Sequence, residues 1–249
     1  MIKQFFTKKR DYLLAPLYYW QAYKVAKHLI RLPEPTGIRH HQDGTPTIAI
    51  FGDSAAAGVG VDSQTDAPLG RIMHHLSSQG FHPTYHLYAT SGHDSFDLLT
   101  NLYALPAHPI DIAIISIGVN DVIKRTTDNA WQYNLHHAIR LLTTKFHATD
   151  IIFLGLPPMQ LATGLPKPLG GLIGRRAAAL SELLRAVCRQ YEQVHYVRDE
   201  FRQANLSPKL MFAKDGFHPS AITYDIWSKT LSRHVAKCLN QYSSPCPDA

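Results

Sequence analysis

Cysteine is scarce in this chain, and acidic residues are nearly absent from its first forty positions. Three cysteines occur among 249 residues, at 188, 238 and 246, and no two are spaced C-x-x-C. An odd, scattered set supplies neither a disulfide framework nor a zinc-ligand pattern. Cys188 and Cys238 fall within helical patterns and read as small core residues, and compartment stays open with a lean toward a reducing one. Net charge is missing from most of the chain. Residues 1–40 hold eight Lys/Arg against Asp11 and Glu34, which accounts for the whole +6, so the other 209 residues sum to zero. That balance argues against a nucleic-acid-binding body. No internal repeat is visible. Gly58-x-Gly60 lacks the third glycine of a dinucleotide fingerprint, and no acid closes the second strand where a ribose would need one. No cofactor and no metal site are expected. The paired histidines 40–41, 74–75 and 136–137 read as polar surface, because adjacent side chains diverge and rarely share one ion.

The basic start, Met1 to Arg10, runs into a largely apolar stretch from Tyr12 to Ile30. Leu14, Tyr18, Ala22, Val25 and Leu29 fall on one helical face, with Gln21, Lys24, Lys27 and His28 roughly opposite. Lys24 and Lys27 interrupt the run, no small-x-small cleavage site follows, and the ~20 mostly uncharged residues of a spanning helix are not there. Three readings are open: a helix packed on the domain, an interfacial membrane anchor supported by the basic and aromatic content, or an uncleaved spanning anchor. The corresponding localisation is cytoplasmic, with membrane association through this helix, against a periplasmic or membrane-anchored alternative. An extended linker dense in Pro and Gly follows to Pro46. The expected division is therefore 1–45, N-terminal helix and linker; 46–240, one α/β domain; 241–249, a frayed tail.

Within the domain, strand and helix patterns alternate. Strands are expected at Thr47–Phe51, Thr84–Ala89, Ile110–Ile117, Ile151–Leu154 and Val194–Val197. Helices are expected over about Leu69–Ser78, Ser95–Leu105, Ala130–Phe146, Gly174–Tyr191 and Ala221–Leu239. Repeated β-α units imply a parallel sheet of five strands with helices on both faces.

The organising stretch is the first strand, running into Gly52-Asp53-Ser54-Ala55-Ala56-Ala57-Gly58. A tight turn of small residues there carries one hydroxyl. A serine hydroxyl needs a base and a group to orient that base. Asp215-Gly-Phe-His218-Pro219 offers both: His218 to take the Ser54 proton, and Asp215, three residues earlier, to hold the other ring N–H. In a doubly wound sheet ligands bind beyond the carboxyl ends of the strands. There the second strand runs into Gly92-His93-Asp94 and the third into Gly118-Val119-Asn120-Asp121. Donors for a tetrahedral oxyanion would be the backbone N–H groups of Ser54 and Gly92 and the Asn120 amide. Asp53 and Asp121 read as supports of local turns.

Gly52-Asp53-Ser54, the lone Gly92, Gly118-x-Asn120-Asp121 and Asp215-x-x-His218-Pro219 stand in the order of the four blocks of the SGNH (GDSL-type) hydrolases. The resemblance covers about residues 46–240. It implies a flavodoxin-like three-layer α/β/α sandwich and cofactor-free hydrolysis of esters or thioesters. It also assigns Ser54, Gly92, Asn120 and His218 to the four named family roles, with Asp215 completing the triad. Ala55 stands where the family often has leucine. The expected function is a serine esterase acting on a small-molecule or lipid ester, with an uncharged acyl group. Alternatives are an acyltransferase or carbohydrate deacetylase using the same site, or a non-catalytic membrane-associated binding protein. The long loop 156–170 lies on the active edge, and Met159, Leu161 and Leu165 are its candidates for lining an acyl pocket. Oligomeric state is not legible.

Overall fold

The computed structural model describes residues 8–198 and 206–243. Residues 1–7, Cys246 and the tail beyond Ser243 lie outside them. The sheet grows outward from β2 (Thr47–Gly52), whose Ile48, Ala49, Ile50 and Phe51 are all buried. β2 pairs in parallel with β3 (Thr84–Ala89) on one side and β4 (Ile112–Ser116) on the other. β5 (Asp150–Leu154) and β6 (Val194–Val197) continue the parallel ladder beyond β4. In chain order these five strands have the 2-1-3-4-5 arrangement of doubly wound sheets. The expected sheet of five is one strand short. His40–His41, read in the sequence as linker, forms β1 and pairs antiparallel with Tyr85 and His86 at the β3 edge. A short edge strand covers backbone groups that β3 would otherwise leave open.

Because the winding direction reverses at β2, right-handed crossovers send helices to opposite faces. α4 (Pro68–Ser77) packs against α10 (Ala221–Ser243) on one face. On the other, α7 (Asp128–Thr144) packs between α5 (Ser95–Ala104) and α8 (Leu169–Cys188). Trp131, fully buried, joins two of them by donating its indole N–H to the Leu180 carbonyl at 3.1 Å. α8 begins five residues before the expected Gly174. The glycines at 170, 171 and 174 hid its start, and a Cβ at Gly174 would come within 2.3 Å of Gln160. Shorter helices follow β2 and β4, namely α3 (Ser54–Ala57) and α6 (Val119–Lys124), and α9 (Pro208–Met211) precedes α10. Cys188 and Cys238 are buried and unbridged.

The N-terminal segment forms two helices, α1 (Lys9–Leu13) and α2 (Ala15–His28), broken at Leu14 ahead of Pro16. Their inner face differs from the expected one: Ala22 is exposed, whereas Gln21, assigned to the polar side, is buried. The Gln21 amide donates to the Lys167 carbonyl at 2.8 Å, and its oxygen accepts from the Leu169 N–H at 3.1 Å. Asp11 is fully buried, pairs with Arg175 at 2.7 Å and accepts from Tyr18 at 3.1 Å. Gln21 is therefore turned inward by hydrogen bonds that an apolar periodicity cannot report. Among the described residues no helix is long and apolar enough to cross a membrane.

Candidate active site

Four segments at the carboxyl edge of the sheet bring the candidate residues together, and β2, where the strand order reverses, supplies the first. Asp53 follows the strand and caps α3, its Oδ1 accepting the Ala55 N–H at 2.9 Å. Ser54 is then the first residue of the helix, and the N–H groups of a first turn have no intrahelical acceptor. Among the described residues the Ser54 N–H has none elsewhere. Burial pushes the Asp53 carboxyl up to about 7, against the Ala55 N–H bond, which lowers it.

The second segment folds back before α10. His218 Nε2 lies 3.0 Å from Ser54 Oγ, and its Nδ1 lies 2.5 Å from Asp215 Oδ2. The other Asp215 oxygen accepts the backbone N–H groups of Phe217 and His218 at 2.9 and 3.0 Å. Burial alone would raise the Asp215 carboxyl. The His218 ring and these two N–H groups outweigh it and hold the carboxyl below its ordinary value. Tyr224, fully buried on α10, donates to the Val59 carbonyl at 2.6 Å and ties this segment to the turn after α3.

The third and fourth segments carry Gly92 and Asn120. Gly92 adopts φ +86°, a conformation that favours glycine, and its N–H has no acceptor among the described residues. A Cβ there would meet nothing within 4 Å in the protein itself, so backbone conformation is the constraint the structure displays. Asn120 lies in the first turn of α6 and donates one Nδ2 proton to the His93 carbonyl at 2.8 Å, which leaves its second amide proton for another acceptor. Asp121 is fully buried and accepts both the N–H and the hydroxyl of Ser95, at 3.0 and 2.6 Å. Burial raises its carboxyl to about 6, with the Ser95 bonds acting against that rise.

Beside Ser54 and His218 opens a narrow cavity of about 30 Å³, room for one or two water-sized groups. Ile117, Val119, Leu156, Met159, Phe217 and Trp227 give it an apolar wall. Of the three loop residues expected there, Met159 lines it; Leu161 and Leu165 do not. Leu165 is instead buried next to Gly170 in the first turn of α8. Phe217 and Trp227 were missed as wall residues. Phe217's adjacency to His218 was the available signal, while Trp227 carries none outside its helical spacing.

Among the described residues one group of metal-ligand type converges, Asp150, His195 and Cys238, within 4.8 Å of one another. Asp150 opens β5 and His195 lies near the start of β6, so the trio is at the amino edge, away from Ser54. His195 and Asp150 pair directly at 2.6 Å.

Residues 50–226 match the GDSL-like lipase/acylhydrolase family. A GDSL-like esterase of Mycobacterium tuberculosis is 29% identical over 185 residues, which covers 71% of this chain and 57% of the relative. The chain thus spans little more than half the length of that curated relative. Among solved structures, the psychrotrophic esterase EstA of a Pseudoalteromonas species superposes with a TM-score of 0.60 at 19% identity, over 78% of this chain and 98% of that one. The acetylxylan esterase Axe2 of Geobacillus stearothermophilus superposes with a TM-score of 0.61 at 14% identity, over 77% and 94% of the two chains. At such identities the superpositions speak for a shared fold.

Proposed function

The chain belongs to the GDSL-like lipase/acylhydrolase family, and on that premise we propose that it hydrolyses carboxylic esters through an acyl-enzyme on Ser54. The observation that carries this reading is the continuous chain Ser54 Oγ, His218, Asp215, at 3.0 and 2.5 Å. His218 Nε2 takes the hydroxyl proton as Oγ attacks the ester carbonyl. Asp215 keeps the Nδ1 proton in place and stabilises the imidazolium without accepting its proton. The carbonyl oxygen, now negative, is met by the N–H groups of Ser54 and Gly92 and the second amide proton of Asn120. Collapse of this intermediate expels the alcohol, protonated by His218, and leaves the acyl group on Ser54. Water then attacks that acyl group, with His218 as base again, to release the acid and restore the serine.

The cavity supports a short, uncharged acyl group. Its apolar lining disfavours a charged one, and about 30 Å³ suits an acyl group as small as acetyl better than a long chain. The test is hydrolysis of p-nitrophenyl acetate, butyrate, octanoate and palmitate by wild type and Ser54→Ala. Activity concentrated on the two short esters and lost in the variant supports the reading. A folded wild type inactive on all four contradicts it.

A further inference from the structure

The two N-terminal helices depart from the usual rule: two polar residues, Asp11 and Gln21, point inward and most of the large apolar side chains point outward. Asp11 and Gln21 are buried, at 0% and 7% exposure. On the outer side Leu13 is 83% exposed, Tyr23 65%, Trp20 53% and Tyr19 48%. At 100° per residue Tyr19, Tyr23, Trp20, Lys24 and Lys27 share one side of α2, opposite Tyr18, Gln21 and Val25. The Lys24 ammonium lies over the Trp20 ring at 4.2 Å. Lys8, Lys9, Arg10, Lys24, Lys27 and Arg31 are all exposed, and the single acid between residues 8 and 33 is the buried Asp11. A monomer gains nothing from leaving this many aromatic rings in water. Aromatic side chains among lysines, with acids excluded, complement the headgroup zone of a negatively charged lipid layer.

The position of this face relates it to the site. Gln21 is clamped to Lys167, in the loop that follows β5 at the carboxyl edge, and to Leu169, which opens α8. Arg125, which caps the helix bearing Asn120, donates to the Tyr19 hydroxyl at 3.1 Å and lies against its ring. Two exposed apolar side chains stand on helices leaving the same edge, Phe96 at the start of α5 (65%) and Ile123 on α6 (51%).

We propose that the outer face of α1 and α2 docks on an anionic lipid bilayer and holds the carboxyl edge of the sheet against it. For substrate class the inference rests on the ester-hydrolase reading: the site then takes short acyl esters of alcohols that reside in the lipid layer. Docking itself is independent of catalysis, so the two can fail separately.

Trp131 and Trp227 are buried, which makes Trp20 the reporter of contact among the three tryptophans. The full chain is mixed with vesicles of phosphatidylcholine alone and of phosphatidylcholine with phosphatidylglycerol, at low salt. Expected are pelleting with the anionic vesicles and a blue-shifted emission that Trp20→Phe abolishes. Lys24→Glu with Lys27→Glu should lower partitioning about tenfold or more, and high salt should release the protein. Ser54→Ala should pellet like wild type, and the Lys24/Lys27 variant should keep the wild-type rate on soluble p-nitrophenyl acetate. Absence of pelleting with anionic vesicles at low salt overturns the proposal, whether or not the face then pairs two copies of the chain. Equal binding to both vesicle types also overturns it.

Discussion

Asp121 holds both polar hydrogens of Ser95, the backbone N–H at 3.0 Å and the hydroxyl at 2.6 Å. This one side chain joins the helix that carries Asn120 to the segment that carries Gly92. The Asn134 amide, donating to the Ser95 hydroxyl at 2.9 Å, fixes the pair from α7. Two donors, one on a loop and one on a helix, thus share one rigid support, and Asp121 acts on them by positioning.

Removing that support should cost both stability and rate. Asp121→Ala leaves two buried donors unpaired, a loss of about 1–3 kcal/mol. Denaturant unfolding should register it, together with a lower kcat and a nearly constant KM. Normal stability and kcat in this variant would contradict the positioning role.

Asn120→Ala should lower kcat about 10²–10³-fold with little effect on KM, because the amide is asked to act on charge that exists only in the transition state. Asn120→Asp, which replaces the donor by an acceptor, should be at least as damaging. A change confined to KM would place Asn120 in ground-state binding instead.

Asp215→Asn keeps the shape of the turn but presents the His218 ring with an amide. The expected loss in kcat is about 10⁴-fold, by loss of the correct tautomer. Stopped assays on p-nitrophenyl butyrate measure it, and a loss under tenfold would mean that His218 is oriented by something else.

Buried carboxyls give a pH signature. Burial pushes Asp53 up to about 7, so the folded chain keeps a proton that the unfolded chain releases near 3.8. The stability this contributes is complete below the unfolded value and is lost as pH rises through about 7. Asp215, held below its ordinary value, acts in the opposite sense and only toward acid pH. Asp53→Asn should therefore gain melting temperature relative to wild type as pH is raised from 5 to 8. A constant difference across that range, by calorimetry, would contradict it.

Much of this was legible in the chain. β3 and β6 have the expected bounds, three of the four chemical blocks follow strand ends, and the fourth precedes the last helix. Other features were hidden for physical reasons. β1 exists because of a neighbouring strand edge, not through its own propensity. Gln21 is inward because of two backbone groups more than 140 residues away. The His93 carbonyl that fixes Asn120 is a backbone acceptor and carries no sequence signal. Asn120 and Gly92 could be named from the sequence; the Asp121–Ser95 contact that holds their segments together could not.

The most direct test of the account is intact-mass spectrometry of acid-quenched protein during turnover of p-nitrophenyl butyrate. The account predicts a fraction of the chain heavier by one butyryl group, mapped by peptide digestion to Ser54, accumulating further in Asp215→Asn if deacylation is slowed more than acylation, and absent in Ser54→Ala. A chain that hydrolyses the ester with the label on another residue, or equally well after Ser54→Ala, would contradict it.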